Sequence, residues 1–177
     1  PAEIWTHISP LKPPRSPPIR IQLAGSPREN AATKDSEWVR QRQALEAAKP
    51  EDVEDVVLVG PNGTLVEGTQ TNFFGVVDGA VWTAEEGVLA GSVRKVALEV
   101  CHELQIPVIL QPPTMDQLRS GQMDGAFISS TSRLVMPVDA VLQPDGTEKV
   151  LPTPHPVVTQ ISQHVQKEVA KRSARVL

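Results

Sequence analysis

Between Asp55 and Ala84 the chain reads "DVVLVGPNGTLVEGTQTNFFGVVDGAVWTA". Its apolar runs are cut by Asn62–Gly63 and by Asp78–Gly79, and both dipeptides accept the left-handed backbone of a tight hairpin turn. A segment built this way folds as a β-meander. One residue resists that reading. Glu67, with the amide of Asn72 five positions on, interrupts the apolar face of "LVEGTQTNFFGVV". A buried carboxylate is costly unless it is paired. Either this strand lies at an edge with Glu67 in water, or a cation stands opposite.

The flanks of the meander alternate between helix and strand patterns. The proline-dense run "SPLKPPRSPPIR" lies between two β-like pieces, "EIWTHIS" and "IRIQLAG", and reads as an extended connection into an edge strand. Asp35 or Ser36 can cap a helix carrying Trp38, Leu45 and the alanines between them, and Pro50 closes it. "EEGVLAGSVRKVALEVCHELQ" passes from a glycine-containing turn into a helix. Its buried stripe is Val93, Val96, Ala97, Val100, Cys101 and Leu104, which makes Cys101 a core filler. "IPVIL" predicts a short strand, and "TMDQLRSGQ" a short helix capped by Thr114. "GAFISSTSRLVMPVDAVL" predicts two strands around a polar hinge from Ser129 to Ser132. "PDGT" marks another turn. An amphipathic helix runs from about Pro156 to Lys171 with Val157, Val158, Ile161, Val165 and Val169 inward. The sum is a mixed α/β or α+β domain with a mainly antiparallel or mixed sheet.

The totals narrow the function. A chain of 177 residues holds one sizeable core. A net charge of −4 gives no basic field for nucleic acid or an anionic membrane. A single cysteine excludes an internal disulfide framework and a cysteine-rich metal site, and His102, His155 and His164 have no metal-ligand spacing. The first residue is Pro1, so a processed or truncated piece of a longer protein is expected.

Four polar features remain. Lys34 precedes a helix. Glu67 interrupts a strand. Gly91, Ser92 and Val93 open a helix, where free N–H groups suit an anion. "SSTS" gathers hydroxyls between two strands. Together they meet the needs of pyridoxal phosphate: a lysine for its Schiff base, an acid at the ring nitrogen and donors for its phosphate.

In that order, the lysine, "EGTQTNFF", "GVLAGSVR" and "SSTSRLVMPV" resemble the class IV, fold type IV pyridoxal-phosphate enzymes over about residues 25 to 170. That group includes branched-chain and D-amino-acid aminotransferases and aminodeoxychorismate lyases, and the version here looks most like branched-chain-aminotransferase-like proteins. The resemblance implies the C-terminal large domain of a fold type IV enzyme, a mixed sheet with packed helices. Residues 1–30 would form a proline-rich segment and first strand, and residues 31–177 the cofactor-binding domain. Lys34 would be the catalytic Schiff-base residue and proton shuttle, with Glu67 at the ring nitrogen and Asn72 ordering the strand around it. Ser92 and Val93, with the Thr131 hydroxyl, would hold the phosphate. Ser130 would lie beside it and Ser132 on the substrate side. Arg94 would be structural.

The implied reaction is transfer of an amino group between an amino acid and a 2-keto acid by a homodimer. The implied alternatives are lyase-type β-elimination and a non-catalytic remnant of the fold. The family's small N-terminal domain, with the arginine that clamps the phosphate, is missing from this stretch. Trp38 or Val39 stands where many members place a tyrosine. Weaker cofactor retention is therefore expected of this piece alone.

Overall fold

The computed structural model describes residues 13–173, with Glu3, Thr6, Ile8 and Pro10 ahead of them. Four of the seven residues of the expected "EIWTHIS" strand, Ile4, Trp5, His7 and Ser9, lie outside the described residues. Among those described, nine strands and five helices follow in the order β1 (Ile19–Leu23), α1 (Glu37–Gln41), α2 (Gln43–Ala48), β2 (Val53–Val59), β3 (Leu65–Gly68), β4 (Asn72–Val77), β5 (Ala80–Trp82), α3 (Ser92–Glu103), β6 (Val108–Ile109), α4 (Met115–Ser120), β7 (Met123–Ser130), β8 (Leu134–Leu142), β9 (Glu148–Val150) and α5 (Pro156–Arg172).

The strand order β3-β2-β1-β8-β7-β4 closes on itself, because β3 also pairs with β4. That closure has a single register pair, Glu67 opposite Asn72. Beyond it β4 changes partner and pairs with β5, which carries β6 parallel at the far edge. β1 runs parallel to both β2 and β8, while the meander pairs are antiparallel. The sheet is mixed, as its sequence pattern predicts. β1 corrects one expectation: it lies inside the ring, flanked on both sides, and is not an edge strand. Both of its partners are distant in sequence, so neither local pattern nor the prolines before it disclose them.

The turn between β2 and β3 shows why Asn62–Gly63 is placed there. Both residues have positive φ, 57° and 70°, a conformation with little penalty only for glycine and asparagine. Thr114 caps α4 through a reciprocal capping box with Gln117, which satisfies two otherwise unpaired backbone donors.

The continuous apolar runs have a packing cause. Successive residues of β4, β7 and β8 alternate between two cores. Phe73, Val77, Ala126, Ile128 and Met136 join Ile19, Ile21, Val57 and Leu65 in a cluster drawn from all six ring strands. Phe74, Val76, Phe127 and Val135 face the other way, against Val93, Ala97 and Val100 of α3 and Val158, Ile161 and Val165 of α5. Phe74 and Phe127 stack with ring centroids 4.3 Å apart. Cys101 belongs to this outer core, fully buried, and loss of hydration pushes its thiol pKa up to about 11. An acidity that low makes it filler rather than nucleophile.

Candidate active site

One end of the strand ring collects the polar residues. There β2 and β8 begin, β3 and β7 end, and β4 starts. A cleft of about 520 Å³ opens at this end, and Lys34, Glu67, Asn72, Ser92, Val93, Ser130, Thr131 and Ser132 all border it. Every site residue expected from the sequence thus comes to one place, although Lys34 and Ser132 are nearly a hundred positions apart.

The turn from β3 to β4 builds the floor. Asp55, only 1% exposed, accepts hydrogen bonds from the hydroxyls of Thr69 (2.6 Å) and Thr71 (2.7 Å) and from the Val56 amide (2.8 Å). This fixes the turn and aims Glu67 and Asn72. The carbonyl of Thr69 faces the other way and accepts from the Trp38 indole at 2.9 Å and from Arg42 at 3.1 Å. Those two bonds dock α1 and α2 beside the cleft and bring the Lys34 segment with them. The helix expected after Lys34 is two short helices divided at Arg42, and the anchoring residues are Trp38 within the first and Arg42 at the division.

Glu67 is buried, and its cation is Arg28. The Arg28 Nε donates to Glu67 Oε1 at 2.8 Å, with both side chains almost wholly out of water. The Leu89 amide donates to Glu67 Oε2 at 3.0 Å. Burial raises the pKa of Glu67, and the Arg28 and Leu89 bonds oppose that shift without cancelling it. Arg28 also donates to the carbonyls of Ala31 (2.6 Å) and Thr33 (3.1 Å), and its guanidinium lies 5.6 Å from the centre of the Trp38 ring. Arg28 therefore ties the residues just before Lys34 to the carboxylate. Lys34 itself is exposed and has no hydrogen-bond or ion-pair partner among the described residues.

Asn72 organises the opposite wall. Its amide donates to the Leu89 carbonyl at 2.7 Å, holding the loop that leads into α3. A Cβ at Gly91 would collide with Asn72 Oδ1, so no larger residue fits at this approach. The first turn of α3 has no side-chain cap, which leaves the N–H groups of Ser92 and Val93 for an anion at the positive end of a twelve-residue helix. Ser129, opposite Asn72 in register, is 1% exposed with an unpartnered hydroxyl and borders the same cleft. Buried hydroxyls are seldom left unpaired, so this one is consistent with a ligand. Ser130 and Ser132 hydroxyls lie 3.4 Å apart. Arg94 donates to the Ala84 carbonyl at 2.7 Å, a structural bond.

The sequence reading missed Arg28, Asp55 and Arg133. Arg133 follows Ser132, borders the cleft and donates from Nε to the buried Glu54 at 2.6 Å. No spacing distinguishes these residues from surface charge; only the position of Asp55 at the head of an apolar run hints at a buried acid.

A profile of the amino-transferase class IV family matches residues 2–141. The "Probable branched-chain-amino-acid aminotransferase" of Thermotoga maritima is 34% identical over 89 residues, which are 49% of this chain and 32% of that protein. The fold is similar to the branched-chain aminotransferase of the archaeon Thermoproteus uzoniensis solved with norvaline, at 21% identity and a TM-score of 0.74 over 88% of this chain and 52% of that one. A second solved branched-chain amino acid aminotransferase, from T.th. and complexed with N-(5'-phosphopyridoxyl)-L-glutamate, gives 21% identity and a TM-score of 0.73 over the same shares. The chain spans about half the length of these solved structures and a third of the curated relative. Profile, relative and fold agree, and the chain belongs to the class IV aminotransferase family.

Proposed function

We propose that the cleft binds pyridoxal phosphate and serves transfer of an amino group between an amino acid and a 2-keto acid. The observation that carries this reading is the convergence of an accessible lysine, a buried carboxylate and an uncapped helix N-terminus on one cavity. Ser129 and Gly91 support the fit: an orphaned buried hydroxyl and a backbone approach that admits no side chain. When bound, the cofactor supplies an electron sink conjugated to the substrate α-carbon.

The chain's residues supply the rest. Lys34 would hold the cofactor through its amine and, once the substrate amine has displaced it, the freed amine would move the proton at the substrate α-carbon. Glu67, charge-balanced by Arg28, holds the ring nitrogen protonated. The amides of Ser92 and Val93 and the hydroxyl of Thr131 receive the phosphate, with Ser130 beside them and Ser132 toward the substrate. Asn72 keeps the α3 approach in place. The cofactor-binding unit is residues 31–177, with β1 completing its sheet.

Addition of pyridoxal phosphate to the chain is expected to produce a yellow absorbance band in the wild type and none in Lys34→Ala. Equal spectra from the two proteins would sink the assignment of Lys34.

A further inference from the structure

We propose that Arg133 is the receptor for a carboxylate of the substrate, which makes it a specificity-determining residue of the cleft. This deepens the reading above and rests on it. Arg133 ends the turn between β7 and β8, one residue past Ser132. Its side chain is only 15% exposed and its Nε is held at 2.6 Å by Glu54, itself 7% exposed. The other oxygen of Glu54 faces Arg15 at 3.6 Å. One carboxylate between two guanidinium groups leaves a positive charge uncompensated within the trio. Among the described residues, no acceptor meets the terminal nitrogens of Arg133. A guanidinium held at one edge offers its remaining donors as a rigid fork, the geometry that matches a carboxylate.

Four cationic side chains and two carboxylates border the cleft; Arg28 and Arg42 are paired, with Glu67 and Glu46, whereas Arg133 shares its single carboxylate with Arg15. Topology separates this cation from the phosphate donors. Along β2-β1-β8-β7-β4, Arg133 is bonded toward β2 through Glu54. The N-terminus of α3 is tied instead to Asn72 on β4. The two anion-binding groups thus stand on opposite flanks of the β7–β8 turn, one for the phosphate and one for the substrate.

The test is calorimetric titration of the 177-residue chain with glutarate, an unreactive dicarboxylate, and separately with pyridoxal phosphate. Arg133→Gln is expected to weaken glutarate binding roughly ten- to hundredfold, the loss of a charge-assisted hydrogen-bonded partner. Its affinity for pyridoxal phosphate should stay within about twofold of wild type, as for a change at an independent site. Arg133→Lys, which can keep an ion pair with Glu54, should still bind glutarate several-fold more weakly than wild type, because it lacks the fork. This second variant covers the case in which Arg133→Gln does not fold. Loss of pyridoxal phosphate with glutarate unchanged would make Arg133 a phosphate clamp and overturn the proposal. Unchanged glutarate binding in both variants, or none by the wild type, would also overturn it and leave Arg133 a strut. The glutarate titration needs no cofactor. Failure of the cofactor reading shows separately, as a missing Lys34-dependent yellow band.

Discussion

Replacing Arg28 by leucine is expected to remove about 3–5 kcal/mol of stability at neutral pH, the cost of leaving one partner of a buried ion pair uncompensated. Glu67 would keep a single donor, the Leu89 amide, in a position almost closed to water. The carbonyls of Ala31 and Thr33 would lose their partner as well. The sign of the pH dependence follows from the direction of the Glu67 shift. Burial already raises its folded pKa, and loss of Arg28 raises it further. An acid with a raised folded pKa binds its proton more readily in the native state, so stability falls as pH rises through that window. The Arg28→Leu deficit should therefore be largest near neutrality and shrink as pH falls into the ordinary carboxylate range. Urea unfolding at neutral and mildly acid pH measures it. A deficit under about 1 kcal/mol at both pH values is what an exposed, screened pair would give, and it would refute the buried pairing.

Glu67→Gln should behave in the opposite manner, sparing the fold and losing the chemistry. The glutamine carbonyl can still accept from Arg28, and Arg28 keeps its two backbone acceptors. The Leu89 amide loses its acceptor. The stability cost is expected at about 1–2 kcal/mol, that of one buried group left without its bond. Turnover should fall on the order of 10²–10³, the scale found when a preorganised group facing developing charge is removed. Steady-state rates and melting curves on one preparation separate the two effects. Unchanged turnover, or an unfolded variant, would make Glu67 a structural acid only.

These two residues show where a sequence stops being readable. The strand around Glu67 was legible because Asn62–Gly63 and Asp78–Gly79 punctuate it and because period-two alternation between two cores leaves apolar runs. The need for a cation opposite Glu67 was legible too. The sequence reading assigned that cation to the cofactor ring; Arg28, which pairs with Glu67 in the fold, was not legible, because it lies 39 positions away in an irregular segment with no periodicity. Asp55 escaped for the same reason: its partners, Thr69 and Thr71, become neighbours only after β2 and β3 pair. β1 was misplaced at an edge since parallel pairing is nonlocal, and the three residues of β9 are too few and too exposed to show a pattern. The site residues were named through their collinear resemblance to a family, and it is the closed ring that brings them to one cleft.

In the proposed reaction Lys34 would carry the cofactor, with the buried, arginine-paired Glu67 at its ring nitrogen. Borohydride reduction of the chain after incubation with pyridoxal phosphate, followed by peptide mapping, reads this directly. The expected outcome is one stable pyridoxyl adduct, on the peptide containing Lys34, lost in Lys34→Ala and weakened in Arg28→Leu. A label spread over surface lysines such as Lys95 and Lys167, or no label on Lys34, would contradict the claim.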